Sequence, residues 1–178
     1  AIALLRSRGM SIRLRMVNAE YPVPESRQTI LEVQERIATF NLGDFVSLNT
    51  DYLSDEDSLG LLSDADLIIF PHQSTAESSS AAVRYGIASG RPVAVTPLPI
   101  FTDVAPAVNR LPGVSARAIA DGIASLLYRS RDADPVLEEQ AQATAFWRKS
   151  HRYSRVALRL NGMLEAFHRA ARTYQETF

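Results

Sequence analysis

Cysteine is absent from the 178 residues. That excludes disulfides, thiolate metal sites and a thiol nucleophile, and it fits a reducing, cytoplasmic location. Lysine is almost absent too: of nineteen basic residues only Lys149 is not an arginine. Glycine is sparse, and no Gly-x-Gly occurs, so neither a dinucleotide fingerprint nor a Walker loop is present. There is no Gly-x-Ser-x-Gly elbow either. The three histidines, His72, His151 and His168, lack metal-binding spacing, so no metal is expected. Asp64 and Asp66, the one Asp-x-Asp pair placed just before an apolar run, read as loop and capping residues. No apolar run approaches the ~20 residues needed to cross a bilayer, and no leader-like segment opens the chain. A formal net charge of −1 gives no overall pull toward anionic lipid or toward nucleic acid, which is not expected as a partner.

What is present is organised around residues 65–96. Leu67 to Phe70 is a short, wholly apolar run, the mark of a strand buried on both faces of a parallel sheet. Pro71 ends it, having no N–H to donate to a ladder. A helix rich in small residues is expected from Ser78 to Ser89, closed by Gly90 at the position that wants a left-handed residue. Pro92 to Thr96 resumes as a strand. In open α/β sheets ligands gather where strands end and helices begin, which is where the polar loop His72 to Glu77 lies.

The rest of the chain alternates in the same way. Ala1 to Arg8 reads as a helix stopped at Gly9, and the chain is expected to begin partway through a fold. Ser11 to Asn18 alternates as a strand, and Ser26 to Phe40 carries Ile30, Val33, Ile37 and Phe40 at helical spacing. Phe45 to Leu48 is a second strand, and Ser54-x-x-Asp57 is a capping box before a short helix. After the central unit come a short helix over 101–108, a short strand over Leu111 to Val114, and helices over 115–129, 134–149 and 154–174. Such alternation predicts a Rossmann-like α/β/α fold: a doubly wound parallel sheet over residues 1–148. A C-terminal helical appendage, residues 149–178, is expected to pack across it.

The segment around Glu77 resembles nucleotide-sugar glycosyltransferases of the GT-B type, retaining branch, whose C-terminal half carries a Glu-x7-Glu motif. The matching residues are Pro71-His72-Gln73, Glu77-Ser78-Ser79-Ser80, and Tyr85-Gly86-Ile87-Ala88-Ser89-Gly90-Arg91-Pro92-Val93. Ala65 to Pro71 is similar to the family's buried strand, Phe146-Trp147 to its tail, and the likeness runs in order over residues 1–165. It departs at two points: Tyr85 stands where the second Glu would, and serines replace the glycines after the first. In the family that second Glu holds the ribose hydroxyls; Tyr85 can offer one hydroxyl or an aromatic face.

The resemblance implies a donor-binding domain that moves a sugar from a nucleotide-diphosphate donor to a glycan or lipid acceptor, as in polysaccharide biosynthesis. It implies no metal and no cofactor beyond the donor substrate. Glu77 is the catalytic candidate, contacting the donor sugar. Ser78, Ser79 and Ser80 would bind its diphosphate through backbone N–H groups at a helix start, a place suited to phosphate. His72, Arg84 and Tyr85 complete the binding set. The family's first strand, its basic loop and its acceptor-binding N-terminal half would precede Ala1, so this chain alone is expected to be inactive. Two other readings are a non-catalytic α/β module derived from such a half and a nucleotide-sugar epimerase of the same architecture. Arg148, Arg152, Arg155 and Arg159 recur at one helical stripe, which reads as a solvated face or as a peripheral contact with anionic membrane.

Overall fold

The computed structural model describes the backbone of residues 1–177 and the side chains of residues 1–172; Phe178, the last residue of the expected appendage, lies outside the described residues. The chain runs α1 (Ile2–Ser7), β1 (Leu14–Val17), α2 (Pro24–Thr39), β2 (Val46–Asn49), α3 (Asp55–Ser63), β3 (Ile68–Phe70) and α4 (Ala81–Ser89). Then follow β4 (Val93–Val95), a 3-10 helix (Pro99–Ala107), β5 (Asn109–Arg110), α5 (Ala116–Arg131), α6 (Pro135–Ser150) and α7 (Tyr153–Thr177).

Every ladder is parallel. β1 pairs with β2 from Leu14–Val46 to Val17–Asn49, and β4 sits between β3 and β5 in a second sheet. β4 is buried on both faces, and its alternation sends its side chains to two separate cores. Val93 and Val95 join Ile68, Val83, Ile87, Ile100, Phe101 and Val104, so α4 and the 3-10 helix cover one face, with Trp147 of α6 packed against them. Ala94 joins Leu5, Val46, Leu111, Ile119 and Ile123 under α1 and α5 on the other. Helices on both faces of parallel strands are the doubly wound pattern the alternation predicted. The strands form two sheets rather than one: among the described residues no ladder joins β1 to β3. The second core nevertheless takes residues from both, Leu14 and Met16 with Leu67 and Ile69, so the two sheets share one layer of helices.

Two glycines set how the central unit packs. Gly86 turns to β3, where a β-carbon would come within 2.9 Å of the Phe70 ring, so α4 lies close on the strand. Gly90 ends α4 at φ +83°, the left-handed conformation a side chain resists.

Several boundaries differ from expectation. α2 starts at Pro24, where a missing N–H costs nothing, and Phe40 forms its C-cap, 55% exposed, apart from the half-buried Ile30, Val33 and Ile37. The strand expected over Leu111 to Val114 pairs at Asn109–Arg110 instead. Leu111 still donates its N–H to Val95 O at 2.8 Å, and Pro112 stops the ladder there. The domain boundary expected after residue 148 falls inside α6, which packs on the 3-10 helix through Gln140 and Thr144. α7 does not lie across the domain: every residue from His151 to Arg172 is exposed.

Candidate functional site

The loop from Pro71 to Ser79 leaves the carboxyl end of β3 and is exposed throughout, except at half-buried His72. Its start is pinned. Thr96, fully buried at the end of β4, donates its hydroxyl to His72 O at 2.6 Å, while the His72 ring meets Phe101 edge-on with centroids 5.2 Å apart. Glu77 is held through its backbone, its N–H donating to Thr75 Oγ1 at 3.1 Å, and its carboxylate is left in solvent. It is the only acid between Asp66 and Asp103.

The helix expected from Ser78 starts at Ala81. Ser80 is its N-cap, in extended geometry, and its buried hydroxyl accepts the Val83 N–H at 3.4 Å. A serine that caps cannot also be helical, because the cap needs non-helical dihedrals. Ser78 and Ser79 therefore stand in the exposed loop before the helix, and the amides at the helix start are those of Ala81 and Ala82, which have no intrahelical acceptor. The dipole of α4 places partial positive charge at that point.

Arg84 and Tyr85, one turn further in, are both engaged within the protein. Arg84 donates to Ser80 O and forms an ion pair with Asp103 of the 3-10 helix. Tyr85 donates its hydroxyl to Asp55 of α3 at 2.8 Å, and that bond, with the carboxylate's charge, raises the phenol above its ordinary range. The structure thus brings His72, Glu77 to Ser80 and the start of α4 to one sheet edge, and ties Arg84 and Tyr85 to neighbouring helices.

Sequence reasoning missed Thr96, Asp55 and Asp103. A threonine closing a buried valine strand just before Pro97 was the available signal for the first; the two acids lie 30 and 19 residues from their partners and left none. The arginine stripe also changes. Arg148 donates to Ala88 O at 2.9 Å beside Gly90, capping the C-terminus of α4. Arg152 lies in the turn between α6 and α7, and only Arg155 and Arg159 share a helix face. Asp64 is the C-cap of α3, away from this edge, and no group of three metal-ligating side chains occurs among the described residues.

No family model and no curated protein matches the chain. Solved structures do. Sucrose-phosphate synthase from Thermosynechococcus elongatus aligns at 17% identity over 95% of this chain and 42% of its own, with a TM-score of 0.69. A glycosyltransferase from Rickettsia africae aligns at 17% identity over 91% and 41%, with a TM-score of 0.71. Anabaena HepE in complex with UDP aligns at 12% identity over 93% and 44%, with a TM-score of 0.67. At these identities the likeness shows the fold, a Rossmann-like α/β unit of the GT-B kind. The chain spans 41–44% of the length of these structures.

Proposed function

We propose that this chain is the donor-binding part of a glycosyltransferase that takes a sugar from a nucleotide-diphosphate donor to a glycan or lipid acceptor. The observation that carries the reading is the open loop from Pro71 to Ser79 ending on the uncapped amides of Ala81 and Ala82, at the carboxyl edge of β3 and β4. That is where open α/β sheets take their ligands, and a helix start of this kind stabilises phosphate. The fold likeness supports it, since the HepE structure, of the same fold, holds UDP.

On this reading the diphosphate lies on the Ala81 and Ala82 amides, with the Ser78 and Ser79 hydroxyls as further donors. Glu77 reaches the sugar from the loop. As the glycosidic bond breaks, charge grows on the leaving diphosphate, and amides already oriented stabilise it without reorganising. The chemistry needs no metal, so a chelator leaves donor binding unchanged. The acceptor and the remaining catalytic groups are supplied by parts outside these residues, and the chain alone does not turn over.

A second reading, a non-catalytic module derived from such a half, has one observation in its favour. Tyr85 spends its hydroxyl on Asp55 and Arg84 its guanidinium on Asp103, so neither is turned to the loop.

Calorimetry of Ala81→Pro separates the two. Proline fits the first helical position, Ser80 before it is already extended, and one amide donor is lost. UDP binding should weaken while uridine binding stays unchanged. Equal loss for both ligands, or no binding of any nucleoside diphosphate by the unsubstituted chain, favours the non-catalytic module.

A further inference from the structure

Arg84 stands at an electrostatically unfavourable place. It is the only arginine or lysine between Arg36 and Arg91, so it is the one permanent cation of the segment that carries the loop and α4. Its side chain runs back toward the helix start, as helical side chains lean, and Nη1 donates to Ser80 O. Ser80 is the N-cap, so the guanidinium comes to rest at the positive pole of α4, where a cation is destabilising. The first turn of α4 holds no acid to offset it. Asp103 does so from 19 residues away, its carboxylate paired with Nη2. The two partners differ in freedom. Asp103 is fixed, because the 3-10 helix that carries it buries Ile100, Phe101, Val104 and Ala107. Arg84 has a long unbranched stem, and both side chains are 41% exposed, so the pair can open without unpacking either core.

We propose that Arg84 exchanges Asp103 for the diphosphate of the donor, so that Asp103 is an internal anion which the donor displaces and which reclaims the guanidinium as the product leaves. The inference rests on the transferase reading, which puts the diphosphate on the Ala81 and Ala82 amides, next to the carbonyl that Arg84 touches. A diphosphate brings at least two negative charges against the carboxylate's one, and its oxygens match the planar guanidinium fork. Nη1 can keep Ser80 O while Nη2 changes partner, so only the end of the side chain has to turn. Asp103 cannot follow, and its released charge stays beside the phosphates. That limits the affinity for a nucleoside diphosphate and favours its release. Arg84 is thus a ligand of the bound state alone, and Asp103 acts through it.

The test is calorimetry of the 178-residue chain, Asp103→Asn, Arg84→Gln and the double substitution, each with UDP, GDP and dTDP. Asp103→Asn should tighten the diphosphate that binds by roughly fivefold or more, with no rise in Tm, because it removes a pair and adds no contact. Arg84→Gln should weaken the same ligand about tenfold or more. With Arg84→Gln already made, Asp103→Asn should gain much less, since no guanidinium remains to be released. A pair that merely holds α4 in place would weaken binding when either partner is changed. Weaker or unchanged binding by Asp103→Asn, while the parent binds, therefore overturns the exchange and leaves the transferase reading standing. An equal gain with and without Arg84 also overturns it, since the carboxylate would then act through its field alone. No binding of any of the three by either the parent or Asp103→Asn removes both.

Discussion

Glu77, the proposed contact to the donor sugar, stands on a loop that nothing buries. Its backbone is fixed by Thr75 and its side chain contributes to no core, so it can change without disturbing the fold. Glu77→Ala in the full-length enzyme should lower kcat/KM roughly tenfold or more, about 1.4 kcal/mol of transition-state contact, with thermal unfolding unchanged. Unfolding at lower temperature with no separate loss of activity would make the carboxylate structural. Asp134 is a residue of the opposite kind. It caps α6 by accepting the Val136 N–H at 2.8 Å, and it accepts from Arg129 at 2.6 Å, which chiefly holds its carboxyl below the usual 3.8. A depressed folded-state pKa adds stability above the unfolded value that disappears as pH falls through the folded one. Asp134→Asn keeps a capping side chain and removes the charge. Its deficit in Tm against the parent should be present at neutral pH and close in acid below 3.8; a deficit constant across that range would show that the pair with Arg129 contributes nothing.

At the level of elements, what local chemistry decides was legible in the sequence. Ser54 caps its helix as the Ser54-x-x-Asp57 spacing suggests, and Gly90 closes α4 in the left-handed conformation. Pro92 to Thr96 resumes as a strand, β4 (Val93–Val95), which is buried on both faces. What tertiary partners decide was not legible. Three serines in a row look alike as a helix start, yet only Ser80 is buried and capping, its hydroxyl accepting the Val83 N–H. Nothing local tells Arg148 from the other arginines of its stripe; its partner, Ala88 O, is 60 residues away. That contact is testable through Gly90, where a β-carbon would meet Arg148 Nη1 at 2.7 Å. Gly90→Ala should cost about 1–2 kcal/mol for the left-handed backbone, and more while Arg148 is in place. In denaturant titrations the penalty should shrink when Arg148→Ala is made first. Full additivity of the two substitutions would mean that the guanidinium gives way freely.

For the whole molecule, the α/β alternation was readable from end to end, whereas the division into two sheets and the stance of α7 were not. Amphipathic spacing says that a helix has a face to cover but not what covers it: α5 and α7 are both amphipathic, yet one lies on the second core and the other in solvent. Of the candidate site, the position at the carboxyl edge of β3 and the exposure of Glu77 followed from strand, proline and polar loop in succession. The partners of Arg84 and Tyr85 depend on α3 and the 3-10 helix folding back to them, which no local pattern records. On the proposed function a nucleoside diphosphate sits at the start of α4. The most direct test is an amide-detected NMR titration of the 178-residue chain with UDP, GDP and dTDP, each against its own nucleoside. Saturable shifts are expected with at least one diphosphate, concentrated on the amides of residues 77–82 and much smaller with the matching nucleoside. Shifts that gather elsewhere, or no change at these amides with any of the three, would contradict it.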